Sequence, residues 1–113
     1  MISHALSVYK LWHIYRNDFP KGLRYTLGKK IDATFLEILE SLFVASYQGK
    51  EEKLPTLFTA IKKNDLLKFF LQIAWELNAI DNSRYILISE KVDGLGRMTG
   101  GWKRGLEIKT PPK

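Results

Sequence analysis

The sequence predicts an all-α fold, an antiparallel up-down-up-down four-helix bundle. Three observations lead there. Apolar residues recur at spacings of three and four through four separate stretches. The connections, around Phe19–Lys21, Gly49–Lys53 and Ala79–Asn82, are short, and connections that short lay consecutive helices antiparallel. No segment alternates apolar and polar residues as a half-buried strand would. A three-helix hairpin followed by a disordered fourth segment is the competing arrangement.

The first helix is expected from about Ser3 to Asp18, with Ala5, Val8, Trp12, Tyr15 and Phe19 as its apolar stripe. Pro20 and Gly22 punctuate the chain after it. The second is expected from Pro20, a suitable first helical position, to Gln48, with Gly49 as its stop. Leu27, Ile31, Ile38, Leu42 and Ala45 make its stripe, and Phe35, Leu36, Leu39, Phe43 and Tyr47 widen it. That arc exceeds the roughly 100° a surface helix needs, which points to burial on two sides, one of them against a second subunit. The third is expected from Pro55 to Asn78, its inner face lined by Phe58, Ile61, Leu66, Phe69, Phe70, Ile73, Ala74 and Leu77. The fourth starts at a cap on Asp81 or Ser83 and runs to about Gly105.

Within that fourth helix, Gly94, Gly96, Gly100 and Gly101 fall inside eight residues. A glycine in a helix interior costs about 1 kcal/mol relative to alanine. Tyr85, Ile88, Val92, Leu95, Met98 and Trp102 nevertheless keep helical time through the segment. Gly96 and Gly100 stand one turn apart, about 100° or more from the centre of that stripe. Two readings compete: a fraying last helix with glycine stops, and a close contact with a neighbouring subunit or nucleic acid.

The length of 113 residues fits one domain, residues 1–105 as the bundle and 106–113 as a flexible tail ending in Pro111 and Pro112. With no cysteine there is no disulfide, iron–sulfur or thiolate–zinc site. No secretory signal and no membrane span is visible, so the chain is expected to be soluble and cytoplasmic, with no membrane partner.

The net charge is +6. Residues 1–30 set Lys10, Arg16, Lys21, Arg24, Lys29 and Lys30 against Asp18 alone, whereas residues 31–52 set Asp32, Glu37, Glu40, Glu51 and Glu52 against Lys50. In the bundle, one pole would gather Arg16, Lys21, Arg24 and Arg84, with Lys29 and Lys30 a turn or two below. Cations at a helix N-terminus oppose its dipole, and a bound phosphate would reverse the sign of that effect. Arg97, Lys103 and Arg104 would form a second basic group at the opposite pole. Tyr25 beside Arg24 and Trp102 beside Lys103 are compatible with base stacking.

Catalytic signatures are absent from the pattern. His4 and His13 project to opposite sides of the first helix and cannot share a metal ion within one chain. The Glu-x-x-His motif of di-iron bundles is missing, as are a nucleophile elbow and a phosphate-binding glycine loop. No cofactor, metal site or catalytic residue is expected, and the chain reads as a non-enzyme.

Three segments carry a family resemblance: Asp18-Phe19-Pro20-Lys21, Leu27-Gly28-Lys29-Lys30-Ile31, and Gly96-Arg97-Met98-Thr99-Gly100-Gly101-Trp102. They resemble the accessory variability determinant proteins of diversity-generating retroelements. These lie within a superfamily of small four-helix bundles that includes proteins encoded by intervening sequences of 23S ribosomal RNA. The Phe-Pro-Lys turn is shared across that superfamily, and the Gly-Arg-x-x-Gly-Gly-Trp ending favours the accessory branch. The resemblance implies a homopentamer that binds RNA or DNA and the element's own reverse transcriptase, assisting mutagenic retrohoming without being a polymerase itself. It implies binding roles for Lys21, Arg24, Lys29, Lys30 and Arg97, and packing roles for Gly96, Gly100, Gly101 and Trp102. The other readings are an intervening-sequence protein and a scaffold whose basic face meets an acidic protein.

Overall fold

A computed structural model describes residues 2–108. Four long helices and one short one follow in order: α1 (Ile2–Arg16), α2 (Lys21–Arg24), α3 (Leu27–Ala45), α4 (Lys50–Glu76) and α5 (Asn82–Ile108). Each long helix packs on two others, α1 and α4 both lying between α3 and α5. Cross-helix pairs fix the directions. His4 lies by Gly94 and Asp18 binds Arg84, while Glu37 pairs with Lys63 and Lys68 with Asp93. The result is the expected up-down-up-down bundle.

The core begins with Ala5, Val8, Trp12 and Tyr15 of α1 and Phe19 in the turn after it, all buried as the spacing predicts. Trp12 meets Phe19 edge-on at 5.3 Å between ring centroids and stacks on Phe35 at 6.0 Å. Asp32 of α3 locks the two helices together, its Oδ1 accepting from the Tyr9 hydroxyl (2.9 Å) and the Trp12 indole N–H (3.2 Å). The Tyr9 phenol is held above its ordinary value by burial and by that hydrogen bond.

Several expectations need correction. The second helix is broken: α2 ends at Arg24, and α3 starts after Tyr25 and Thr26, with Thr26 in a non-helical conformation. The break folds α2 back over the first turn of α3. A Cβ at Gly28 would meet the Leu23 carbonyl oxygen at 3.3 Å and the Phe19 ring at 3.4 Å, so the close approach depends on glycine there. Helix α4 begins at Lys50, not at Pro55, with Glu51 and Glu52 in its first turn where the helix dipole favours carboxylates. Pro55 sits in the second turn, where it forgoes one backbone bond without ending the helix.

The face of α4 is the largest correction. Leu57, Ala60, Asn64, Leu67, Leu71 and Ala74 are buried, and of the expected inner residues only Ala74 is among them. Phe58, Leu66, Phe69 and Leu77 are exposed. The buried set is spaced three and four alternately, and its leucines and alanines are compact enough for neighbouring helix axes to approach to about 8–10 Å. The same slip occurs in α5, where Thr99 takes the buried place and Met98 is exposed.

At the other ends the expectations fare better. Asp81 caps α5, its carboxylate accepting the Arg84 backbone N–H at 2.8 Å. Helix α4 closes through Asn78 in the left-handed conformation (φ 60°), with the Ala79 N–H returning to the Ala74 carbonyl. Helix α5 runs to Ile108, so Leu106–Ile108 belong to the helix and Leu106 packs on the core, correcting the expected tail boundary. The remainder of the expected tail, 109–113, lies outside the described residues. Among the described residues no helix is long and apolar enough to cross a membrane.

Candidate nucleic-acid interface

The expected basic residues divide by what holds them. Arg84 donates to Asp18 at 2.6 Å, and that hydrogen bond is the main reason its guanidinium sits above its ordinary value. Arg16 faces Asp32 at 3.9 Å. Lys103 pairs with Glu107 at 2.9 Å. Arg24 turns back to the end of α1, its Nη2 donating to the carbonyls of Asn17 (2.9 Å) and Phe19 (3.3 Å). Arg84, Arg16 and Arg24 tie the end of α1 to its neighbours, whereas the Lys103 pair lies within α5.

Lys21, Lys29, Lys30, Arg97 and Arg104 are exposed, with no carboxylate partner among the described residues. They form two groups. Lys21, Lys29 and Lys30 stand at the end where α2 meets the start of α3. Arg97 and Arg104 lie seven residues apart on one face of α5, separated by two turns or about 10 Å. The two basic groups expected from the sequence are thus pared down to Lys21, Lys29 and Lys30 at one end and Arg97 and Arg104 on α5.

The arginine face borders a groove of about 460 Å³ between α4 and α5, lined by both arginines, Lys68 and Lys103 but also by the carboxylates of Asp65 and Glu107, and by Asn64, Gly96 and Gly100. Gly96 and Asn64 form one unit there. A Cβ on Gly96 would come within 2.7 Å of Asn64 Nδ2, so Gly96 is bare because the α4 amide occupies that space. Its close contact in the described chain is with α4. Asn64 is 3% exposed, donates from Nδ2 to the Val92 carbonyl at 3.1 Å, and leaves Oδ1 without a hydrogen-bond partner among the described residues. A buried acceptor left this way costs about 1–3 kcal/mol.

Gly100 and Gly101 answer to a different neighbour. The nearest atom to a Cβ on either belongs to the Arg104 guanidinium, at 3.6 and 4.0 Å, so that side chain lies back along the glycine backbone. No other helix of the described chain contacts those positions. Trp102 is half-buried and packs on the core, with the Lys53 ammonium 5.2 Å from its ring centre.

Several site residues were missed in the sequence. Phe58, read as core, is exposed and flanked by the ammonium groups of Lys62 (4.9 Å) and Lys103 (5.7 Å). Lys68 reaches the groove from α4, its ammonium raised above the ordinary value chiefly by its 2.7 Å bond to Asp93. Asn64 was invisible to an apolar count, although its place between Ala60 and Leu67 in the three-four rhythm marks it as a core position. Tyr25 is exposed beside Arg24, as a stacking residue would be, but belongs to neither group's groove. Among the described residues no three His, Asp or Glu side chains are grouped to share a metal ion.

A family model described as bAvd-like matches residues 4–106, which takes in nearly the whole of all five helices. No curated protein and no solved structure matches the chain.

Proposed function

Because the chain belongs to the bAvd-like family, we propose that it is the non-enzymatic, nucleic-acid-binding accessory protein of a diversity-generating retroelement, acting beside the element's reverse transcriptase in mutagenic retrohoming. The observation that carries the reading is the set of five exposed cations, Lys21, Lys29, Lys30, Arg97 and Arg104, whose charge no carboxylate of the described chain neutralises. Cations free of internal partners are what a phosphate backbone needs, since each contact releases a counterion. Most contacts then go to phosphates, with little base readout.

Self-association into a ring, with five copies as the expected number, belongs to the same reading. Leu36, Phe43 and Tyr47 on α3, and Leu66, Phe69 and Leu77 on α4, present large apolar side chains outward. Surfaces of this kind on two different helices suit a heterologous contact, in which one face of a copy meets the other face of the next.

The test is affinity for a labelled single-stranded RNA at two salt concentrations. Five phosphates neutralised on a single strand predict a loss of about 100-fold between 50 and 200 mM salt. Reversing charge at Lys21, Lys29 and Lys30 together weakens binding while the helical circular dichroism stays unchanged. Salt-independent affinity, or a triple variant that binds normally, refutes the reading. Co-purification of the co-expressed reverse transcriptase tests the partner, and its failure to co-elute removes that part.

A further inference from the structure

We propose that the outer face of α3 in one copy of the chain packs antiparallel on the outer face of α4 in the next, with Glu40 paired to Lys62 of the partner subunit and Phe43 seated beside Phe58 of the partner subunit. The inference rests on the self-association read above and names the contact that builds it. Three observations converge on it.

The first is rhythm. Opposite its buried stripe, α3 carries Ala33, Leu36, Glu40, Phe43 and Tyr47, all exposed, at alternating steps of three and four. Opposite its own buried stripe, α4 carries Thr59, Lys62, Leu66, Phe69 and Ile73 at the same steps, and only Ile73 is half-buried. Each is a seam of the kind that interdigitates with another helix. The buried faces of α3 and α4 already serve the chain's own core, so a helix for either seam comes from outside the chain.

The second is charge. Each seam sets one charged residue among its apolar ones, an acid on α3 and a base on α4. Neither has an oppositely charged partner among the described residues, because Glu37 takes Lys63 instead. The Lys62 ammonium lies 4.9 Å from the Phe58 ring centre, at the edge of a hollow of about 420 Å³ lined by Leu54, Pro55 and Phe58.

The third is height along the bundle. Glu37 Oε2 meets Lys63 Nζ at 2.9 Å across the antiparallel pair of α3 and α4, which sets those two residues side by side. Glu40 lies three residues beyond Glu37, and Lys62 one residue before Lys63, in the same direction along the bundle. Their backbones therefore differ in height by two residues, or about 3 Å. Copies related by rotation about an axis along the bundle sit at equal heights. The contact of α3 with the next α4 is then antiparallel and brings Glu40 opposite Lys62. On the same count Phe43 comes level with the hollow beside Phe58. Ala33 comes within about 3 Å of the height of Leu66 and Phe69, and its small side chain leaves room for the ring. A second copy is the occupant these features select, because each seam carries what the other lacks, at the same height.

The test is charge exchange on the full chain, treated with nuclease and followed by sedimentation equilibrium over a dilution series. Glu40→Lys and Lys62→Glu each set like charges opposite one another and are expected to weaken association at least about tenfold. Both positions are exposed, so the helical circular dichroism stays that of the parent. The double variant restores the pair with its signs exchanged and associates within about threefold of the parent. Phe43→Ala, at a side chain 53% exposed, weakens association while leaving the fold intact.

Single variants that associate as the parent does overturn this contact and leave self-association through another face. Single variants that dissociate, with a double variant that stays dissociated, overturn the pairing of Glu40 with Lys62. Recovery of the double variant as a dimer, from a parent that is itself a dimer, upholds the pair and refutes the ring. A parent that sediments only as a monomer removes the ring and this contact together.

Discussion

Gly96 and Asn64 give the sharpest quantitative prediction. An alanine at a helix-interior glycine is worth about 0.8–1 kcal/mol in propensity, so Gly96→Ala on a bare helix would stabilise α5. In the folded chain its Cβ would stand 2.7 Å from Asn64 Nδ2, which must move and surrender its 3.1 Å bond to the Val92 carbonyl. Asn64 is buried, so the displaced amide finds no water, and the loss is about 2 kcal/mol. The net effect of Gly96→Ala is therefore destabilisation by about 1 kcal/mol. Asn64→Ala removes the obstacle together with its unpartnered Oδ1, and in that background Gly96→Ala regains its propensity and stabilises by about 1 kcal/mol. The coupling between the two sites is then about 2 kcal/mol, within the range for residues in contact. Urea unfolding followed by circular dichroism measures it, at one protomer concentration because association would shift the midpoint. The four-variant cycle closing to within a few tenths of a kcal/mol, or Gly96→Ala stabilising the parent, refutes the assignment of Gly96 to the Asn64 amide.

Four further outcomes are expected. Gly100→Ala, where the new methyl meets only the end of a flexible arginine, raises stability by up to about 1 kcal/mol, read as an upward shift in the urea midpoint. Leu67→Ala costs about 2–5 kcal/mol in the same assay, whereas Phe69→Ala costs under about 1 kcal/mol, and reversal of that order contradicts the observed face of α4. Asp32→Ala leaves the buried Trp12 indole N–H without its acceptor and loses about 2–3 kcal/mol. Finally, the Tyr9 phenol binds its proton more tightly folded than unfolded, so its contribution is complete below the ordinary value of 10.0 and drains away as pH rises through the folded value. Tyr9→Phe should flatten that alkaline decline without altering the neutral-pH dependence, while the contribution of Lys68, complete below its ordinary 10.5, is likewise lost as pH rises through its folded value.

What was legible in the sequence followed from how unambiguous each helix is. Helix α1 carries one apolar stripe, so Ala5, Val8, Trp12, Tyr15 and Phe19 could face only one way. Helix α4 carries two. Ile73, Leu66, Phe69 and Leu77 keep helical time as well as Leu57, Leu67 and Leu71 do, and counting hydrophobic mass favours the side with the phenylalanines. Bundle geometry favours the other, because close helix axes accommodate leucine and alanine better than phenylalanine. A rule weighted by side-chain size at alternating steps of three and four would have chosen correctly. The basic site was legible as composition but not as pairing. Nothing in the run Asp18-Phe19-Pro20-Lys21 reveals that Asp18 will hold Arg84, sixty-six residues away, or that Arg24 will satisfy the open carbonyls at the end of α1. The five unpaired cations emerge only by subtraction of those tertiary bonds.

The structure separates the glycines of α3 and α5 by consequence. Gly28 and Gly96 are demanded by the fold, since each leaves room for an atom of the same chain at 3.4 Å or less. Gly100 and Gly101 are not, because a methyl group at either meets nothing closer than an arginine tip. A helix that forgoes about 2 kcal/mol of propensity at two adjacent positions, with no internal contact in return, is weaker than the fold requires in its last three turns. Those turns carry Arg97, Arg104 and one wall of the groove. Bare backbone beside unpaired guanidinium groups lets an anion approach the helix more closely than any side chain at those positions would permit. Stability given up there without internal compensation coincides with the unpaired guanidinium groups of Arg97 and Arg104, and that coincidence is the physical case for testing α5 for anion contact alongside the lysine group of α2 and α3.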